Sequence, residues 1–182
     1  MSGYELQYDA GLWYPLPDSG DSRAFAEGLA AALEAERPDI TASELDDLRA
    51  VAETAVATRP PDASESFLFL PADVGALGIV HFVIIVAAPG EVYSADDLLA
   101  ASADALLSPV RTDLELDGLG SGSRILSVTP GAGELPTARI EYLFAEGPAV
   151  LMASALARSM RDAGIMTAAL DEMLGGFRWM SE

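Results

Sequence analysis

A chain of 182 residues that is 51% hydrophobic has enough apolar material for a core, and we expect residues 1–182 to form a single domain. Its formal net charge of −19 repels phosphate backbones and anionic lipid surfaces, so nucleic acid and membranes are not expected as partners. Because lysine and cysteine are both absent, lysine Schiff bases, thiol catalysis, disulfides and cysteine-ligated metals are excluded.

The first third of the chain predicts two short strands followed by two helices. Alternation over residues 4–9 and a proline-containing run over 11–17 indicate the strands, the second one at a sheet edge or a strand end. Apolar residues spaced four apart predict a helix from Asp21 or Ser22 to about Glu36. Thr41-Ala-Ser-Glu44 fits a capping box and predicts where a second helix begins.

The run Leu77–Ala88 is β-branched, aromatic and apolar, and its only polar side chain is that of His81. Such a run is typical of a central strand that is covered on both faces. The preceding strand, Ser66–Leu70, is separated from it by a short turn, so the two should be antiparallel neighbours.

Beyond this run the sequence predicts a helix and then several strands. An N-cap signal at residues 94–97 begins a helix that we expect to continue to about Leu107, with Leu106 and Leu107 facing inward. Strands are expected at 111–117, 124–129 and 137–145, with a flexible glycine-rich turn at 118–123.

The C-terminal part leaves one element open. Ala149–Met160 is rich in helix-forming residues, but it also fits a strand that returns from a hairpin, at least to Ala155. We expect a helix over 167–174, which the glycines at 175 and 176 end, and a short last strand containing Phe177 and Trp179.

Three residues are candidates for ligand binding. His81 is the only histidine, so a Ser-His-Asp triad would have to use it. It is either a core residue whose hydrogen bonds are satisfied or a residue that reaches a pocket. Trp13 and Tyr14 leave the same two interpretations open, namely packing on the core or lining a pocket. Carboxylate-based acid–base chemistry stays open as well, because acidic residues are numerous.

Two further patterns carry less weight. The glycines at 118, 120 and 122, with Arg124, resemble a phosphate-binding loop, but a strand rather than a helix is predicted to follow them. Asp113, Glu115 and Asp117 project from one side of a predicted strand and offer three carboxylates to a cation. They lack the glycine and spacing of a calcium loop, so we expect a solvated face and no metal or other cofactor.

Several stretches resemble a group of uncharacterised actinobacterial proteins. The opening Gly11-Leu-Trp-Tyr-Pro-Leu-Pro17 is similar to their GW-x-x-LP motif. The C-terminal order of strand, hairpin, strand, helix and strand, which runs from Ile140 to Trp179, is similar to the way in which domains with the PsbP-like fold finish. The resemblance implies an antiparallel sheet with helices on both sides and a non-enzymatic accessory role, and it transfers no catalytic residue.

Together these patterns predict an α+β domain with a mostly antiparallel, twisted sheet and helices packed on its faces. We expect a non-enzymatic accessory or protein-interaction module of the bacterial cytoplasm, whose partner is another protein or a second copy of the chain. Its binding surface would be the acidic helix face or the region of Trp13 and Tyr14. The alternative is a small-molecule-binding protein or hydrolase that uses carboxylates near His81.

Overall fold

A computed structural model describes residues 3–18, 20–71, 74–86, 105–130, 136–145 and 149–180. The strands in these ranges are β1 (Gly3–Glu5), β2 (Trp13–Pro15), β3 (Glu65–Phe69), β4 (Gly78–Val86), β5 (Val110–Leu116), β6 (Gly120–Thr129), β7 (Thr137–Phe144), β8 (Ala149–Ala157) and β9 (Arg178–Met180). The helices are α1 (Ser22–Glu36), α2 (Ala42–Ala57) and α3 (Met160–Gly175). The fold is therefore α+β, as the sequence predicted.

Seven strands form one sheet in the order β2-β3-β4-β8-β7-β6-β5. Every neighbouring pair in it is antiparallel. The predicted central run is β4, which lies between β3 and β8, so both its position and its antiparallel pairing with β3 are confirmed. The first and last strands, β1 and β9, pair with each other in a separate two-stranded sheet.

The two faces of the large sheet bury different clusters because side chains alternate along each strand. Phe67 and Phe69 of β3 belong to a cluster that includes Met166 and Leu170 of α3. Leu68, between them, belongs to a second cluster formed with buried residues of α1 and α2. Helix α3 therefore covers one face, and the α1–α2 pair packs together against the other face near β3.

Helix starts follow local chemistry. At α2 the capping box is present, because the Thr41 hydroxyl accepts from the Glu44 backbone and the Glu44 carboxylate accepts from the Thr41 backbone. The prediction for the last helix was wrong by about two turns, since α3 begins at Met160. Ser159 is its N-cap, and the Ser159 hydroxyl accepts from the Asp162 backbone N–H at 3.1 Å. A serine two residues beyond the end of β8 therefore begins this helix.

Three other expectations need correction. The helix expected to reach Leu107 does not include residues 105–107, and Leu106 and Leu107 are 55% and 65% exposed. The Leu106 N–H already donates to the Val128 carbonyl of β6 at 2.7 Å, which is incompatible with continuing a helix. Residues 94–104 of that helix lie outside the described residues.

The flexible turn expected at 118–123 is confined to residues 117–119, because β6 begins at Gly120. Phe177 lies just before β9 and is buried in the core.

Candidate functional site

A polar row crosses four neighbouring strands on one face of the sheet. Ser66 of β3 pairs with His81 of β4, and His81 pairs with Ser154 of β8. Ser154 pairs in turn with Glu141 of β7. Residues that pair directly in antiparallel strands project their side chains from the same face. The register therefore aligns a hydroxyl, an imidazole, a second hydroxyl and a carboxylate.

The imidazole of His81 is held by its neighbour in this row. The Ser66 hydroxyl lies 2.8 Å from Nδ1 of His81, and Ser66 itself is only 2% exposed. Either atom of this hydrogen bond can be the donor, according to the tautomer of the ring. Within the described residues no hydrogen bond reaches Nε2, so Nε2 is the nitrogen that can serve a ligand.

His81 is neutral near pH 7. Burial lowers the pKa of its imidazole below the ordinary value, and the nearby positive charge of Arg59 lowers this pKa further. Arg59 is itself held in place, because its Nη2 donates to Asp18 at 2.7 Å and to the Ala63 carbonyl at 2.9 Å. A neutral imidazole offers a ligand one hydrogen bond rather than a charge.

His81 lies in a concave region of this face, with a cavity of about 400 Å³ that we call the His81 groove. Its apolar walls include Ile79 and Val83 of β4, Met152 and Leu156 of β8, and Pro60. Its polar residues include His81, Ser154, Arg139, Glu141 and Thr58. Apolar walls with a few convergent polar groups are typical of small-molecule sites.

The charges in the His81 groove compensate each other. Arg139 and Glu141 are two positions apart on β7, and Nε of Arg139 lies 3.5 Å from Oε1 of Glu141. Glu141 is only 5% exposed, so its carboxylate depends on contacts within the protein, this one among them, rather than on bulk water. With a neutral His81, the groove is close to neutral although the protein as a whole is strongly acidic.

The three predicted ligand-binding residues do not form one site. Trp13 is 2% exposed and packs in the cluster beneath α3, where it also borders a separate cavity of about 310 Å³. Tyr14 points to the opposite face and packs against the α1–α2 cluster, where burial and the charge of Glu36 raise the pKa of its phenol. Of the three, only His81 lines the groove.

The other polar patterns have local partners. Asp113 accepts from Arg111 at 3.0 Å and from Ser123 at 3.2 Å, and Glu115 accepts from Ser121 at 2.7 Å. Arg124, which the sequence placed beside a glycine loop, forms an ion pair with Asp171 of α3. In the described part of the chain no group of three or more acidic or histidine side chains is arranged to hold a metal ion.

Sequence reasoning missed Ser154, Arg139 and Glu141 as companions of His81. The signal for the last two was present, because they stand at alternate positions between the buried Ala138, Ile140 and Tyr142. Two charged side chains on the same side of an otherwise buried strand indicate a polar site on that face. Which strands meet there depends on the register of β4, β8 and β7.

Among the described helices, none is both long and apolar enough to cross a bilayer. No match was found when the chain was compared with protein-family models and with curated proteins. The geometry of the His81 groove is therefore the basis for assigning a function. It can enclose a small, mostly apolar molecule and offer it hydrogen bonds from an imidazole and a hydroxyl.

Proposed function

We propose that the protein is a non-enzymatic accessory module of the bacterial cytoplasm, with a PsbP-like fold, that acts by binding. Its ligand site is the His81 groove, and its partner is a protein or a second copy of the chain. The observation that carries this proposal is that apolar side chains of β4 and β8 meet His81 and Ser154 in a cavity of about 400 Å³. This volume lies in the range of cavities that hold small molecules, about 300–1,000 Å³.

The chemistry of the groove selects a class of ligand. The Arg139–Glu141 ion pair leaves no net charge there, and the imidazole is neutral near pH 7. A charged ligand would lose hydration without gaining an unpaired partner of opposite charge. The ligand that fits is a neutral, mostly apolar small molecule with one or two hydrogen-bonding groups, which His81 and Ser154 would meet.

The contacts of the polar row favour binding over covalent catalysis. A serine nucleophile needs to be both hydrogen-bonded to its base and accessible to a substrate. Ser66 is bonded to His81 but buried, whereas Ser154 is partly exposed but makes no hydrogen bond to His81. Glu141 lies two strands from His81, a backbone separation of about 10 Å, and its carboxylate contacts Arg139.

A fluorescence titration tests the ligand site directly. The probe is N-phenyl-1-naphthylamine, which is neutral, mostly apolar and carries one N–H. We expect the wild type to bind it and Leu156→Arg, which places a charge on a groove wall, to weaken binding at least about tenfold. Met160→Arg is the matched control, because Met160 is 50% exposed, Leu156 is 47% exposed, and Met160 does not line the groove. Equal binding by both variants, or none by the wild type, would contradict the proposal.

The hydrolase alternative has one observation in its favour, because His81, Ser154 and Glu141 line the same groove. In that mechanism His81 would act as a general base for an ester substrate. Hydrolysis of p-nitrophenyl butyrate by the wild type, lost in both His81→Gln and Ser154→Ala, would establish this function in place of simple binding. Wild-type rates equal to those of the two variants would eliminate it.

A further inference from the structure

We propose that β5 pairs with β5 of a second copy, so that two large sheets join into one continuous sheet across a two-fold axis. Strand β5 is the last in the order of the sheet, and among the described strands it pairs only with β6. It has seven residues, Val110–Leu116, without proline or lysine. This inference is independent of the His81 groove, which lies on other strands.

The two edges of the sheet differ in how well they resist pairing. An edge strand presents unpaired backbone N–H and C=O groups, and proteins protect such edges with short strands, prolines or lysines. At the opposite edge, β2 has three residues, ends in Pro15, and is followed by Pro17. Strand β5 is longer and contains neither proline nor lysine, although Pro109 directly precedes it. Among the described strands it is therefore the edge better able to pair with another strand.

The side chains of β5 complement themselves. A two-fold axis perpendicular to the sheet leaves each side chain on the face that it already occupies. Residues that pair directly across antiparallel strands share a face, so the axis must pass through a residue and not between two residues. With the axis at Thr112, Arg111 of each copy lies opposite Asp113 of the other. Within one chain Nε of Arg111 is already 3.0 Å from Oδ1 of Asp113. Pairing would therefore place two Arg111–Asp113 pairs of opposite charge directly across the two strands, which stabilises antiparallel partners.

The neighbouring positions of the axis are unfavourable. An axis at Arg111 or at Asp113 places that residue opposite its own copy, so that two like charges face each other. An axis at Leu114 places Asp113 opposite Glu115 of the second copy. Like charges directly opposite each other destabilise strand pairs, and Thr112 is the one central position from 111 to 114 that avoids them.

The other face of β5 supports the same register. Val110 is 60% exposed, and with the axis at Thr112 it lies opposite Leu114 of the second copy. Leu114 is partly buried against the cluster beneath α3. Exposed apolar side chains also precede β5, since Leu106 and Leu107 are more than half exposed. Covering Val110 with Leu114 removes apolar surface from water on both copies.

Light scattering coupled to gel filtration tests the interface. We expect a dimer for the wild type and a dissociation constant at least about tenfold higher for Arg111→Asp. The double variant Arg111→Asp/Asp113→Arg restores opposite charges in the proposed register and should restore the dimer. Arg23→Asp is the matched control, because Arg23 is exposed on α1 and the change in charge is the same.

A second variant tests the apolar face independently. Val110→Glu should also weaken the dimer, and circular dichroism should show that its fold is unchanged, since Val110 is exposed. A monomeric wild type, or a dimer that Arg111→Asp and Val110→Glu leave intact, would overturn the proposal. Failure of the double variant to restore the dimer would overturn the axis at Thr112. None of these residues lines the His81 groove, so these results do not depend on ligand binding.

Discussion

The hydroxyl of Ser66 lies 2.8 Å from Nδ1 of His81, and it links two central strands through side chains as well as through the backbone. The contact occupies one ring nitrogen in a partly buried environment. It thereby orients the imidazole on the face that carries the His81 groove, and it leaves Nε2 for a ligand. The two predictions that concern this imidazole follow from its protonation and from this contact.

The stability of the protein should depend on pH through His81. Burial, followed by the charge of Arg59, lowers the pKa of this imidazole below its ordinary value of 6.5. Between that value and the lower folded-state pKa, the unfolded chain binds a proton that the folded chain does not. The contribution of His81 to the free energy of unfolding is therefore complete above about pH 6.5, and it is lost as the pH falls from 6.5 to the folded-state pKa.

Urea unfolding at pH 7.5 and at pH 5.5 measures this effect. The wild type should lose free energy of unfolding between the two values, and His81→Gln should lose less. Arg23→Gln is the control, because Arg23 is exposed to solvent. This variant should lose as much free energy of unfolding between the two pH values as the wild type does. If the free energy of unfolding of His81→Gln falls with pH as steeply as that of the wild type, the pH dependence arises from carboxylates instead.

Ser66→Ala should destabilise the fold by about 1 kcal/mol, because it leaves Nδ1 of His81 without its partner in a partly buried position. The variant should also change the NMR chemical shifts of the imidazole near pH 7. Ser43→Ala is a suitable control, since Ser43 is exposed on α2 and has no hydrogen bond from its hydroxyl in the described structure. An unchanged free energy of unfolding would mean that water replaces the hydroxyl.

Tyr142→Phe should destabilise the protein by about 1–2 kcal/mol. The Tyr142 hydroxyl is buried and donates to Oδ1 of Asp171 at 2.8 Å, while Arg124 contacts the other oxygen of the same carboxylate. Burial and the charge of Asp171 raise the pKa of this phenol, so it stays protonated at all ordinary pH values. Tyr8→Phe, at a residue that is 41% exposed, should change stability little in the same urea experiment.

Gly122→Ala should destabilise the protein by about 1–3 kcal/mol. A methyl group at this position would lie 2.3 Å from the ring of Phe144, which is buried on the neighbouring strand β7. Gly28→Ala is the opposite case, because a methyl group there meets nothing within 4 Å and the position is inside α1. This control should stabilise the protein by about 0.5–1 kcal/mol. Similar free energies for both variants would show that β6 and β7 can separate at Gly122.

Part of this architecture is encoded locally and was therefore predictable. The capping box of Thr41 and Glu44 needs only residues three positions apart. The alternation of β5 places Leu114 and Leu116 on one side and the acidic residues on the other, as expected from a period of two. The apolar run around His81 indicated an internal strand, and β4 does lie between β3 and β8. The expected cover on both faces was wrong, because Val80 and Phe82 are buried whereas Ile79, His81 and Val83 on the other face are only partly buried.

Other features depended on distant pairing. The segment Ala149–Met160 contains strong helix formers, yet it is a strand to Ala157, because β4 and β7 pair with it on both sides. Two neighbouring strands that satisfy its backbone groups outweigh a helix propensity of a few tenths of a kcal/mol per residue. The inward direction expected for Leu106 and Leu107 was wrong for a similar reason, since Leu106 already bonds to β6.

By itself the sequence determined the class of fold, the excluded chemistries and His81 as the one imidazole available. The tertiary structure alone decided what surrounds that imidazole. Ser66, Ser154 and Glu141 come from different parts of the chain, and only the register of four strands aligns them with His81. A shift of one residue in a single strand would turn that strand's member of the row to the opposite face, because side chains alternate with a period of two.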